Sequence, residues 1–190
     1  MAPTASGLRH DPVLIALHWL TAGLVAALWL IGQTIDFAPN GALRIDYRSL
    51  HMVCGVSVAL VLVVRLLFRA TRGGMQPPLD HGLVRLAARV VHGLLYAMLA
   101  ATIGLGITNA WVRGDSVFNL VQLASFAPGD KALRSAIGDY HALFANGLLI
   151  LAGAHAAAAL LHHFVLHDAT LRRMLPERLV PDLRPGPRRD

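Results

Sequence analysis

Four stretches of the chain are almost free of polar side chains. They run from about residue 13 to 35, 49 to 68, 84 to 108 and 141 to 166. A hydrocarbon core of about 30 Å takes about 20 helical residues at 1.5 Å each, so each stretch is long enough to cross a bilayer. Pro12 suits the first turn of the first helix. The connection after it carries Pro39, Asn40 and Gly41, which are turn residues. The second connection, from Ala70 to His81, is rich in Arg, Gly and Pro. The third, Asn109 to Asp139, is long for a connector and predicts structure of its own. Within it, Ser116 to Phe126 is apolar in part and predicts a helix lying in the interface. The pattern predicts an all-α membrane protein, a four-helix transmembrane bundle over residues 1–176. Residues 177–190 read as an Arg- and Pro-rich tail that becomes disordered towards its end.

Composition agrees. Of 190 residues 55% are hydrophobic and only 15% charged, and the mean hydropathy is +0.54. A soluble domain carries about a quarter charged residues. The net charge of +6 does not argue for nucleic acid, because the arginines cluster beside the apolar spans. Twelve of the seventeen basic residues fall in the N-terminus, the second connection and the tail, and five in the other two connections. By the positive-inside rule both termini are cytoplasmic. The first span reads as retained, being too long for a signal-peptide core. The single Cys54 excludes an internal disulfide, and no C-x-x-C-H motif offers a covalent haem attachment.

Against this background the histidines stand out, since an ionisable group at membrane depth signals function by default. His141 and His155 lie on the fourth span, fourteen residues apart. That spacing puts them within about 40° on one helix face and roughly 21 Å apart along it. Ala145, Leu148 and Ala152 lie between them on that face. His18 falls in the cytoplasmic half of the first span, at the level of His155. His51 starts the second span at the periplasmic side, at the level of His141. A single histidine near a span end is as a rule interfacial; two matched pairs argue for metal ligation. Neutral imidazole is a good iron ligand, and two from facing helices sandwich one haem. Such a centre has no open position for oxygen, so it transfers electrons, and two stacked across a bilayer make a wire. Bundle cores are where such cofactors sit.

The other polar groups carry less. His92 faces a haem propionate or a quinone headgroup, or sits at the interface. His162, His163 and His167 complement the dipole at a helix end, with a quinone or proton role as the alternative. His10 and His81 read as solvated. Arg65 pairs with a propionate or snorkels. Gly55, Gly147, Gly153 and Ala156 to Ala159 make room for a porphyrin or simply pack helices.

Several fragments together resemble the prokaryotic cytochrome b561 family. They are Leu17-His18-Trp19, His51-x-x-Cys54-Gly55, Val64-Arg65-Leu66-Leu67, Arg113-Gly114, His141-x-x-x-Ala145-Asn146, His155-Ala-Ala-Ala-Ala-Leu-x-His162-His163 and Thr170-Leu171-x-Arg173-Met174. They cover about residues 13 to 176. The resemblance implies two b-type haems, ligated by His18 with His155 and by His51 with His141, the pairing the depths also give. It implies exchange with the ubiquinone pool, and, for some members, oxidation of superoxide at the periplasmic face. Arg44, Arg48, Arg113, Lys131 and Arg134 would steer that anion, with Asp115, Asp130 and Asp139 diluting the field.

The expected protein is thus a di-haem b-type cytochrome passing electrons from a periplasmic donor, such as superoxide, to quinone. It is either an oxidoreductase in its own right or an electron-transfer protein, and no catalytic residue is assigned. The nearest alternative is a cytochrome b subunit anchoring a periplasmic dehydrogenase or hydrogenase, which a co-purifying partner would reveal. A second is a histidine-lined transition-metal transporter, which needs polar midplane residues that the spans hardly offer. Expected partners are the lipid bilayer, quinone and a small donor, with a homodimer or a dehydrogenase as further options.

Overall fold

The computed structural model describes residues 11–71, 82–127 and 129–176. Helix α1 spans Pro12–Thr34, α2 Ala42–Thr71, α3 Gly82–Arg113 and α4 Lys131–Phe164. Local chemistry sets their ends. Asp11 caps α1, its carboxylate accepting from the Val13 amide at 2.8 Å, and Pro12 fills the first position. Asp130 caps α4 in the same way through Leu133 at 2.9 Å. Between α1 and α2 a 3₁₀ turn, Ile35–Phe37, is held by Arg44, which donates to the carbonyls of Ala38 and Asp36. His10, His81 and the 177–190 tail lie outside the described residues.

The four long apolar helices make this a multi-pass membrane protein. They outrun the apolar stretches. α2 starts at Ala42 rather than 49, and α4 at Lys131 rather than 141. His51 and His141 are therefore about ten residues inside their helices, not at their starts. The reason is that hydropathy marks the lipid-facing length, whereas helix hydrogen bonding continues past it through sequence that favours helix. The thirty-two residues of α3 measure roughly 48 Å, well over the hydrocarbon thickness.

The segment expected as an interfacial helix is instead a short antiparallel hairpin. Strands β1 (Ser116–Val117) and β2 (Val121–Gln122) pair Ser116 with Gln122 and Val117 with Val121. Phe118 and Asn119 turn the chain with φ of 50° and 56°. Two consecutive left-handed residues make a tight hairpin turn that a helix excludes. Ser49 of α2, fully buried, accepts from the Phe118 amide at 2.7 Å and donates to the Ile45 carbonyl at 2.7 Å. The hairpin thus sits on α2 two residues from His51. We call this the hairpin end of the bundle, and the other the terminal end.

α1 packs along α2 and α3 along α4, while contacts between the two helix pairs are few. A small core joins them: Val58, Leu62, Leu99 and Leu148, flanked by Leu24, Leu28, Leu95 and Met98. Leu148 lies midway between His141 and His155, so this core separates the two histidine levels. The many exposed Leu, Val and Ile side chains, such as Leu60 and Ile150, face lipid, where no hydrophobic penalty attaches to them.

Candidate functional site

At the hairpin end His51 and His141 face each other with ring centroids 6.1 Å apart. The helices come close behind each ring. A Cβ built on Gly32 of α1 would lie 3.4 Å from Cε1 of His51, and one on Gly106 of α3 only 3.0 Å from Cε1 of His141. His141 Nδ1 donates to the Thr102 carbonyl at 3.0 Å. A neutral imidazole has one N–H, so this bond fixes the tautomer and leaves Nε2 bare, as a metal ligand requires. His51 Nδ1 is buried with no hydrogen-bond partner among the described residues.

A cavity of about 1130 Å³ opens beside this pair. Its interior is lined by Leu28, Trp29, Gly55, Ile103, Ala145 and Leu148, and its mouth by Arg48, Arg113, Lys131 and Arg134 with Asp36, Asp115 and Asp139. Pockets for small molecules run to about 1,000 Å³, so the space suits a flat macrocycle. Trp29 Nε1 donates to Asn146 Oδ1 at 2.9 Å, a hydrogen bond directly joining α1 and α4.

At the terminal end His18 and His155 stand 6.4 Å apart. Two imidazoles held from opposite sides by one metal at about 2.0–2.1 Å each would have their centroids roughly 6–6.5 Å apart. Both pairs fit that spacing, and the glycine cradle and bare Nε2 add to the fit at the hairpin end. The terminal pair holds two features the sequence could not place. Arg65 approaches His18 Nδ1 at 3.1 Å and lies over Tyr96. A guanidinium only donates, so the His18 proton sits on Nε2, and ligation through Nε2 requires Arg65 to release Nδ1. His92, from α3, lies nearer to His155 than His18 does, at 5.1 Å, its own Nδ1 on the Ala88 carbonyl at 2.7 Å.

Beyond α4 the chain folds back under the bundle, and Trp19 Nε1 donates to the Met174 carbonyl at 2.7 Å. His162 has a specific partner there, Asp168, at 2.5 Å. Burial alone would push the Asp168 carboxyl up. Hydrogen bonds from His162 and Thr170 together outweigh this and hold it below its ordinary value. His163 instead lies against Phe164. Among the described residues no three His, Cys, Asp or Glu side chains form a group that could hold a metal ion.

Two pairs of imidazoles stand at two levels inside four helices long and apolar enough to cross a membrane, the frame of a multi-pass membrane protein. The chain belongs to the prokaryotic cytochrome b561 family, whose pattern matches residues 9–177. Similar proteins include a probable superoxide oxidase CybB of Yersinia pestis, 32% identical over 174 residues covering 90% of this chain and 97% of that one. Cytochrome b561 homolog 1 of Escherichia coli is 30% identical over 174 residues, 90% and 98% of the two chains. Cytochrome b562 of Cereibacter sphaeroides is 32% identical over 170 residues, 86% and 93%. The protein is accordingly a membrane b-type cytochrome of electron transfer.

Proposed function

We propose that the chain carries two b-type haems, one between His18 and His155 and one between His51 and His141, and moves electrons through them to ubiquinone. The observation that carries this reading is the pair of facing imidazole couples, 6.4 Å and 6.1 Å apart, with one ring of each on α4. Haem supplies a one-electron iron couple. The protein's part is to hold the rings at two depths and keep them dry. The distribution of basic residues supports an inner-membrane orientation with cytoplasmic termini and the hairpin end in the periplasm. The family match ends at residue 177, which supports residues 1–176 as the cytochrome unit.

Superoxide is the donor we favour. The hairpin-end cavity mouth carries four cations against three carboxylates, a field that attracts a small anion, and one relative bears the name of a probable superoxide oxidase. We assign quinone to the terminal end, a reading supported by the polar groups that His92 and Arg65 offer beside His155 and His18. The test is a reduced-minus-oxidised visible spectrum of purified protein with a haem count. Two low-spin b-haems per chain, reducible by superoxide, are expected. His141→Ala and His155→Ala should each lose one haem and keep the other. No haem in protein expressed with haem supply would overturn the reading.

A further inference from the structure

Arg48 stands one helical turn before His51 on α2. Residues three apart share a helix face, so the guanidinium emerges above the imidazole, about 4.5 Å along the axis. Both side chains line the hairpin-end cavity. Arg48 is partly buried, and among the described residues it makes no hydrogen bond or close ion pair. Its charged surroundings are mixed: Arg113 and Arg44 repel it, while Asp115 and Asp36 attract it from a distance.

Those neighbours are largely committed elsewhere. Arg44 is occupied by the carbonyls of Ala38 and Asp36, which close the α1–α2 turn. Asp115 accepts from Arg113 Nε at 3.2 Å. Two guanidiniums therefore share a partly desolvated mouth in which the nearest carboxylate is already engaged by one of them. Burying like charges together is costly, and an anion between them removes the cost. A carboxylate suits best, because its two oxygens match the guanidinium fork.

We propose that Arg48, together with Arg113, forms a carboxylate clamp that grips the acidic edge of the cofactor held by His51 and His141. The clamp fixes which way round the macrocycle enters the cavity and places a positive charge beside its metal. A nearby cation disfavours the oxidised, more positive iron, so it raises the reduction potential of that centre. This assignment rests on the two-haem reading of the cavity.

The experiment uses the purified holoprotein and its Arg48→Gln, Arg48→Lys and Lys131→Gln variants. Haem per chain, both midpoint potentials and the resonance Raman propionate bending bands are measured in each. In Arg48→Gln one haem should become harder to reduce by about tenfold in equilibrium, about 59 mV for one electron. Its propionate band should shift, or that haem should be lost. Arg48→Lys should keep the haem and much of the potential. Lys131→Gln, exposed at the start of α4, removes the same charge from the cavity mouth away from the clamp and should shift potential and band clearly less than Arg48→Gln.

Unchanged potentials and bands in Arg48→Gln, with two haems present, would overturn the clamp and leave the di-haem reading standing. An equal shift in Lys131→Gln would also overturn it, since a general field at the mouth would then suffice. A slower superoxide-driven reduction with potentials and bands unaltered would assign Arg48 to a soluble anion instead. A wild-type protein without haem would defeat the di-haem reading itself, a result separable from all of these.

Discussion

Alanine at Gly106 tests whether the space behind His141 is part of the site. The added methyl would lie 3.0 Å from Cε1 and 3.4 Å from Nδ1 of the ring, where carbon contacts are normally about 3.5–4.0 Å. The ring cannot retreat freely, because Nδ1 is tied to the Thr102 carbonyl one turn earlier on the same helix as Gly106. Two effects then compete. Alanine is the better helix former by about 0.8–1.0 kcal/mol. Overpacking costs about 1–3 kcal/mol, and here it falls on a ring that must hold its angle to ligate. The net loss is at most about 2 kcal/mol, and each 1.4 kcal/mol expressed in cofactor binding is tenfold. Gly104 is the control: it is on the same helix, and a methyl added there would meet nothing within 4 Å. Gly32, with a 3.4 Å approach to His51, is intermediate. Haem content after detergent purification, and the midpoint of the haem proposed between His51 and His141, should rank Gly104→Ala with wild type, then Gly32→Ala, then Gly106→Ala. If Gly106→Ala matched Gly104→Ala in both, the close approach would have no bearing on the site.

Two further perturbations read the supporting structure. Ser49→Ala removes the fully buried hydroxyl that accepts from the part-buried Phe118 amide, a loss of about 1–3 kcal/mol, and frees a bulky residue from a left-handed conformation. Amide exchange at the hairpin should rise at least tenfold with the haem count kept; unchanged exchange would mean that Ser49 is not what holds the turn. Asp168, with its carboxyl held below the ordinary value, contributes stability above the usual carboxylate range near pH 4, and that contribution fades as pH falls through its lower folded value. The pair is partly exposed, so the effect is under about 1 kcal/mol. Asp168→Asn should flatten this acid limb of the denaturation profile, and an identical limb would exclude the His162 contact as its source.

How far the sequence could be read follows from the range of each signal. Lipid contact is written continuously along a span, so the four helices were legible, and the fourteen-residue spacing of His141 and His155 is local geometry on one helix. The starts of α2 and α4 were not legible, because residues 42–48 and 131–140 are mixed in polarity and hydropathy is silent on helix outside lipid. The hairpin was not legible because its turn depends on Phe118 and Asn119 with φ above zero, held by Ser49 sixty-nine residues away from Phe118. Asn119 alone was a cue, being tolerant of that conformation. His92 beside His155 and Arg65 on His18 depend on how helices rotate against one another, which no single helix encodes.

The arrangement also bears on what crosses this protein. The two imidazole levels are roughly 21 Å apart on α4, and the layer between them is Val58, Leu62, Leu99 and Leu148, all buried. A transported cation would need oxygen or nitrogen donors through that layer, because an ion left unsolvated at such depth is heavily penalised. The polar bond identified above it, Trp29 to Asn146, is closed on itself. An electron needs no such donors; it needs two redox centres held at fixed separation with water kept out. In the proposed two-haem reading α4 would provide the first by carrying one imidazole of each pair on a single helix, and the apolar layer would contribute the second. The scarcity of direct contact between the α1–α2 and α3–α4 pairs fits the same account. Each imidazole couple spans from one helix pair to the other, so a cofactor bound as proposed would add cohesion between them.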